Sequence, residues 1–325
     1  MMSSAPAPRQ LSSALRAWRW LAAAAVAWLV AGCGGSQVQE FDAARLVVFG
    51  DEMSTIEGDG RKYTVNGLNT AVPPALDCRV NPIWVQSVAT TTGLVFAECN
   101  PDAKPVTAFV QAAAGARTAD VTSALAAHAG ASRDLLTVAV GLHDVLDAYA
   151  LYTGSNLAVL ETSLEASGKA LAEAVNAVVQ LGGPVALVST VPDVGVTPWA
   201  LAAETAQPGS KVVLTQLTEA FNRGLRQNIV NDGRRIGLVD GFDQVRAMVT
   251  SPSSYGLTNV VAPSCANAAA FPSTSPAALL DCTTATLATG ASATQWLWAD
   301  RLRLGPAGHA RLANVANARL RSNPF

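Results

Sequence analysis

The fold is decided by Arg45 to Ser54, which reads R-L-V-V-F-G-D-E-M-S. Four apolar residues, Leu46 to Phe49, suffice for a strand buried on both faces, and they run directly into a Gly50-Asp51 turn. A buried strand ending in a Gly-Asp turn delivers polar side chains to the carboxyl edge of an open α/β sheet, where ligands of such folds bind. The side chain delivered here is Glu52.

Working outward, the same pattern recurs. Pro105 to Gln111 reads as a second strand, and A-A-A-G-A-R after it places Gly115 in a turn. Leu135 to Val140 is a third, leading into G-L-H-D, Gly141 to Asp144. Val185 to Val191 is a fourth, followed by a P-D-V-G-V-T-P loop, and Ile236 to Val239 is a fifth. Helix signals fall between them. Asn81-Pro82 supplies a cap and a first-turn proline, with Gly93 as the stop. Leu160, Leu164, Leu171, Val175 and Val178 share one helical face, ended by Gly182-Gly183. Leu214, Leu217, Phe221, Leu225 and Ile229 share another, closed by Gly233, and a last helix lies around Arg311 to Leu320. Apolar strands alternating with helices predict one doubly wound, flavodoxin-like α/β domain with a parallel sheet. Glu57 to Leu76 reads as loop with a short hairpin near Tyr63, and Ser251 to Thr294 as a disulfide-clamped surface loop. No internal repeat or domain linker follows Arg45.

The chain of 325 residues is 50% hydrophobic and 14% charged, so it has material for a large core and is not a disordered protein. A formal net charge of −2, without a basic run, excludes an electrostatic footprint for nucleic acid. No cofactor motif is present. No C-x-x-C or Cys/His cluster is present either, and no metal is expected.

The start of the chain has the pattern of an export leader. Arg9, Arg16 and Arg19 precede a short apolar run, Trp20 to Val30, and the segment ends V-A-G-C at Cys33. Small residues before a cysteine resemble the bacterial lipoprotein cleavage box, in which the cysteine becomes the acylated first residue. The resemblance divides the chain into a signal peptide (1–32), a lipidated tether (33–44) and a folded domain (45–325). It implies a membrane anchor through lipid on Cys33. The competing reading is an uncleaved transmembrane anchor, for which the run is short. Gly34, Gly35 and Ser36 follow without the aspartate that favours inner-membrane retention in such lipoproteins, so the outer membrane is expected, on its periplasmic or surface face. Setting Cys33 aside leaves Cys78, Cys99, Cys265 and Cys282, for which three pairings are open. Their grouping favours Cys78–Cys99 and Cys265–Cys282, and an exporting compartment favours disulfides over thiols.

A set of short motifs, taken in order, resembles the SGNH/GDSL hydrolases in their esterase and lipase branch. They are the strand-Gly-Asp turn, Gly115 after strand two, G-x-x-D after strand three, the P-D-V-G-V-T-P, F-N-R-G-L and S-Y-G-L-T-N-V pieces, and the terminal D-x-x-x-x-G-x-x-G-H segment. The resemblance covers Arg45 to the C-terminus. It implies serine ester hydrolysis: a serine in the first block, a histidine oriented by an aspartate in the last, and an oxyanion hole including a glycine N–H and an asparagine side chain.

Carried over residue by residue, that implication breaks at the chemistry. Glu52 stands at the serine position. Asp300 stands at the orienting aspartate, but Arg303 stands at the histidine. Gly115 keeps the oxyanion glycine, and His143 stands at the asparagine. Glutamate has no hydroxyl to attack with, and arginine stays protonated at any working pH, so neither can do the family's work. Ser54 is a weak substitute with no histidine beside it, and His309 matches a flanking-helix residue suited to a structural capping role. Asp51, Asp144 and Asp193 follow strands and fit turn capping. His143 is expected to hydrogen-bond structurally.

The two central changes compensate each other. A lone buried carboxylate at position 52 would cost several kcal/mol, about the price of an unpaired buried charge, whereas Arg303 supplies its partner. An ionic triad of Glu52, Arg303 and Asp300 is therefore expected, with a Glu52 oxygen directed into the former oxyanion hole. Two functional expectations follow: a non-hydrolytic protein binding an acyl-ester or glycan ligand or a protein partner, or an esterase working through Glu52 as a base towards water.

Overall fold

A computed structural model describes Met1 and residues 41–180, 183–267 and 273–322. The leader, Cys33 and Gly182 lie outside the described residues. From Glu40 onward the chain forms one compact unit.

Five parallel strands make the central sheet: β1 (Arg45–Gly50), β2 (Ala108–Val110), β3 (Asp134–Ala139), β4 (Val185–Ser189) and β5 (Ile236–Val239). Their order is β2-β1-β3-β4-β5, the flavodoxin-like doubly wound order, with β1 in register so that Gly50 lies beside Ala139 of β3. Successive side chains of a strand point to opposite faces, and β1 shows the consequence. Val47 and Phe49 pack with α4 (Leu157–Val178) and α6 (Ser210–Asn228) through Leu164, Leu171, Leu217 and Phe221. Leu46 and Val48 pack with α1 (Trp84–Thr92), α7 (Gly241–Thr250) and α8 (Pro306–Ser322) through Val88, Met248 and Leu312. The remaining helices are α2 (Thr118–Ala127), α3 (Leu142–Ala150) and α5 (Pro198–Ala206).

The structure pairs Cys78 with Cys99 and Cys265 with Cys282, as their grouping suggested. Several boundaries differ from expectation. The first helix begins at Trp84 rather than at Pro82, because Asn81 takes a left-handed φ of 55° and donates its side-chain amide to the Val65 carbonyl instead of capping. Ile83 stands at the cap, and its N–H is met by Gln86 Oε1 at 3.0 Å. Gly93 does end that helix in the left-handed region. The second strand is shorter than expected, three residues instead of seven. The presumed loop after Ser251 contributes a strand, β6 (Asn259–Pro263), which pairs in parallel with β7 (Trp296–Trp298). Among the described residues no helix is long and apolar enough to cross a membrane.

Candidate functional site

Four elements deliver the site to the carboxyl edge of the sheet. Glu52 follows β1, Gly115 follows β2, His143 opens α3 after β3, and Asp300 and Arg303 lie between β7 and α8. Gly115 sits at φ +80° with open space around its Cβ position, so glycine is there for backbone conformation rather than for room.

The Glu52 carboxylate is buried, 1% exposed, and four donors converge on it. Arg303 gives Nε and Nη2 to Oε1, at 2.9 and 2.6 Å. The Gly115 N–H donates to Oε2 at 3.0 Å. His143 Nε2 lies 3.0 and 2.9 Å from the two oxygens, and since an ionised carboxylate only accepts, Nε2 carries the proton. Asp300 orients Arg303 twice over. Its Oδ1 accepts the backbone N–H groups of Leu302 and Arg303 at 2.7 and 2.6 Å, and its Oδ2 accepts Arg303 Nη1 at 3.2 Å. A remaining Arg303 proton goes to the Thr274 carbonyl, which brings the Cys265–Cys282 loop against the guanidinium.

This network sets the protonation states. Burial opposes charge on Glu52, but the His143 hydrogen bond, the Arg303 charge and the Gly115 N–H outweigh it and hold the carboxyl well below the usual carboxylate range. Burial likewise works against a charged His143, and the Glu52 hydrogen bond and charge raise its pKa nonetheless. Asp51 is the exception: burial, with the adjacent Glu52 charge, pushes it up to about 7. Its Oδ1 accepts the Met53 N–H at 3.0 Å, which favours the ionised form too weakly to offset burial.

The other sequence candidates take plain structural roles. Ser54 is fully buried, and its Oγ accepts from Trp84 Nε1 at 3.1 Å. Asp144 Oδ2 accepts the Thr118 N–H at 3.0 Å, and Asp193 Oδ1 accepts from the Gly195 N–H and Thr215 Oγ1, both at 2.9 Å. His309 is buried on α8 and makes no capping bond through Nδ1, which has no partner among the described residues. Burial, helped by the Lys62 charge, lowers its pKa to about 3, so the ring is neutral. Among the described residues no cluster of His, Cys, Asp and Glu is arranged to hold a metal. Sequence reasoning did not find the Thr274 carbonyl, which lies in a loop with no pattern to mark it.

A cavity of about 40 Å³ lies against the cluster, lined by Asp51, Glu52, Tyr63, Val191, Arg303 and His309 among others. That is room for water and not for a substrate, since small-molecule sites run to about 300–1,000 Å³. Gly115 and His143, the two positions at which the resemblance leads one to expect an oxyanion hole, both bond to the protein's own Glu52 carboxylate.

No protein-family model matches the chain, and no curated protein matches it. Solved structures similar to it include a member of the lipolytic protein G-D-S-L family from Veillonella parvula, with 9% identity and a TM-score of 0.38 over 84% of this chain and 96% of that one. An acetylxylan esterase from Geobacillus stearothermophilus has 14% identity and a TM-score of 0.42 over 87% of this chain and 96% of that one. An alpha/beta hydrolase from the metagenome of Lake Arreo, Spain, has 14% identity and a TM-score of 0.41 over 87% and 98%. The strand order makes this a doubly wound, flavodoxin-like α/β domain, and four of its segments bring the motif positions to one sheet edge, an arrangement similar to that expected of an SGNH hydrolase fold.

Proposed function

We propose that the chain is an exported, lipid-anchored protein whose SGNH-like domain does not hydrolyse esters and acts by binding. The observation that carries this reading is the position of the Glu52 carboxylate, with Oε2 on the Gly115 N–H and His143 and Oε1 on Arg303. A carboxylate held there stands where the charged oxygen of a reaction intermediate would stand, so the hole built to stabilise that charge is filled.

The same network weakens the esterase alternative. A base towards water must accept a proton near the working pH. Glu52 is held far below that range, and both of its oxygens are engaged by donors. Arg303 cannot take the proton instead. With the old cleft closed, an acyl or glycan ligand would have to bind outside the Glu52 cluster, and a protein partner needs no cleft at all. The lipid anchor on Cys33 and an outer-membrane location rest on the leader sequence. Two disulfides are consistent with an oxidising compartment.

The test uses short-chain p-nitrophenyl esters with three purified proteins: the natural chain, Glu52→Gln, and Glu52→Ser/Arg303→His. Turnover is expected only from the double variant, which regains a hydroxyl and a base on an oriented scaffold. Turnover by the natural chain that Glu52→Gln abolishes would establish the esterase reading instead.

A further inference from the structure

The two edges of the central sheet carry opposite charge. Its five strands are parallel, so the residues that begin them share one edge, and the crossover helices return to it. The far edge, which carries Glu52, has Asp120, Asp144 and Asp243 in the first turns of α2, α3 and α7. The starting edge is lined with arginine instead. Arg45 begins β1, Arg133 precedes β3, Arg234 and Arg235 precede β5, and Arg319 and Arg321 lie in the last turn of α8. Against these six stand Asp42, Asp134 and Asp232, which leaves an excess of three positive charges at this edge of a chain whose net charge is −2. The segments before β2 and β4 do not alter the balance: Lys104 and Asp102 pair at 3.4 Å, and Gly183-Pro184 is uncharged.

Four of the six arginines have no carboxylate partner among the described residues. Arg45 and Arg133 are neutralised by Asp134 and Asp42. Arg235 gives Nη1 to the Gly183 carbonyl at 2.9 Å and Arg319 gives Nε to the Leu238 carbonyl at 3.1 Å, bonds that fix the side chains without cancelling their charge. Arg234 and Arg321 are exposed, and their guanidiniums have no partner among the described residues. A helix dipole accounts for basic residues at the end of α8, but Arg234 lies in the turn between α6 and β5, beyond any last turn. By contrast Arg226, in the last turn of α6, is taken by Asp240 at 2.6 Å. Unpaired cations gathered on one side of an acidic chain are a field that an anionic surface attracts.

The chain enters the domain at this same edge, and that identifies the surface. The Ala44 N–H donates to the Arg133 carbonyl at 2.8 Å, and Arg133 Nε donates to the Asp42 carbonyl at 3.1 Å. Phe41 to Ala43 line one cleft with Leu320 and Arg321. Phe41 is eight residues from Cys33, a length of chain that reaches at most about 29 Å. With lipid on Cys33, the reading proposed above and the one on which this inference rests, the arginine edge is held beside the bilayer. Anionic headgroups attract guanidiniums within a Debye length, about 10 Å, and repel the acids of the opposite edge. Covalent reach and charge therefore select the same orientation. We propose that the starting edge of the sheet is a membrane-facing surface, in which Arg234, Arg235, Arg319 and Arg321 rest on the anionic phospholipid headgroups of the bilayer that holds the anchor, with the Glu52 edge turned to the aqueous side.

The experiment uses the full chain, expressed in cells that lipidate exported proteins and transferred from their membranes into vesicles of phosphatidylethanolamine with either phosphatidylglycerol or phosphatidylcholine. Uptake of an alkyne-palmitate label, abolished by Cys33→Ser, reports the anchor by itself. The photo-crosslinker p-benzoylphenylalanine is placed at Ala131, exposed beside Arg133, or at Val159, 70% exposed in the first turn of α4 at the opposite edge, and phospholipid adducts are measured by mass spectrometry. The expected result is an adduct at 131 and not at 159 in phosphatidylglycerol vesicles. Arg234→Glu/Arg321→Glu should lower the yield at 131 at least about fivefold, with acylation and melting temperature unchanged. With the label present, equal adducts at the two positions would overturn the proposal and leave the anchor standing. So would a yield at 131 indifferent to phosphatidylglycerol or to the charge reversal. A protein adduct at 131 in place of lipid would assign the edge to a partner protein and overturn it equally. Absence of the acyl label would overturn the anchor reading of Cys33, and this proposal with it.

Discussion

Arg303 and Glu52 are 251 residues apart in sequence, yet Arg303 grips one oxygen of Glu52 with both Nε and Nη2, at 2.9 and 2.6 Å. Both side chains are buried, Arg303 at 4% exposure and Glu52 at 1%. Neither is tolerable there alone, because a charge taken from water without a partner costs more than most folds can spare. The pair therefore has to be understood as one change at two positions. Each residue is what makes the other tolerable in the interior.

That dependence is measurable. Arg303→Met alone should cost about 3–5 kcal/mol of stability, because it strands Glu52 in the interior. Glu52→Gln alone strands the Arg303 charge and should also destabilise. The combined variant should cost less than the sum of the two, with a coupling of a kcal/mol or more in urea denaturation. Strictly additive costs would mean that the two side chains do not depend on each other.

The acids of the cluster should give stability a two-sided pH dependence. Glu52 has a folded pKa lowered below its ordinary value of 4.5, so its contribution is present above about that pH and is lost as pH falls through the folded value. Asp51 is the reverse: it is raised from 3.8 to about 7, so its contribution is complete below the unfolded value and is lost as pH rises towards 7. His143, raised above 6.5, acts in the same direction as Asp51. Asp51→Asn keeps an acceptor for the Met53 N–H and removes the ionisation. It should flatten the decline as pH rises towards 7 and make the variant more stable than the natural chain at pH 8. An unchanged slope would show that Asp51 ionises freely.

Much of this was legible in the sequence, for reasons that the geometry makes clear. The long strands and the two long helices declare themselves because each buries a continuous face, and β5 matches its expected span at both ends. The helices α2, α3, α5 and α7 do not, being nine or ten residues long with few buried side chains each, so their periodicity has no length in which to show. The Glu52–Arg303 contact could be anticipated because motif spacing fixes both positions on known edges. His143 reaching both carboxylate oxygens could not, since nothing in G-L-H-D states which way the imidazole turns.

Gly50, at the hinge between β1 and the site, should be intolerant of any side chain. Its φ is +149°, and a Cβ would lie 2.2 Å from the Ala139 carbonyl oxygen of the neighbouring strand. That oxygen is backbone and accepts the Asp51 N–H at 3.1 Å, so it has nowhere to move. Gly50→Ala should destabilise by about 3 kcal/mol or more, through strain and separation of β1 from β3 at the end that carries Glu52. A variant with unaltered melting temperature would mean that β1 and β3 can part at this end without cost.

The last prediction tests the proposed reading, in which the Glu52 carboxylate fills an oxyanion hole. In Glu52→Ser/Arg303→His the shorter side chain cannot reach Gly115, so the Gly115 N–H and His143 Nε2 are left facing the space the carboxylate filled. Two donors already aimed at one charged oxygen are what an ester's tetrahedral intermediate requires. His143 should then act as an oxyanion donor, at the position where the resemblance leads one to expect an asparagine amide. Adding His143→Ala to the double variant should lower kcat about 10²- to 10³-fold with a smaller change in KM, because the donor matters most when charge develops. His143→Asn should restore most of the rate, having an amide N–H in nearly the same place. If His143→Ala leaves kcat unaltered, then His143 holds the natural plug without being part of an oxyanion hole. The double variant's activity would then depend on Gly115 and the backbone alone.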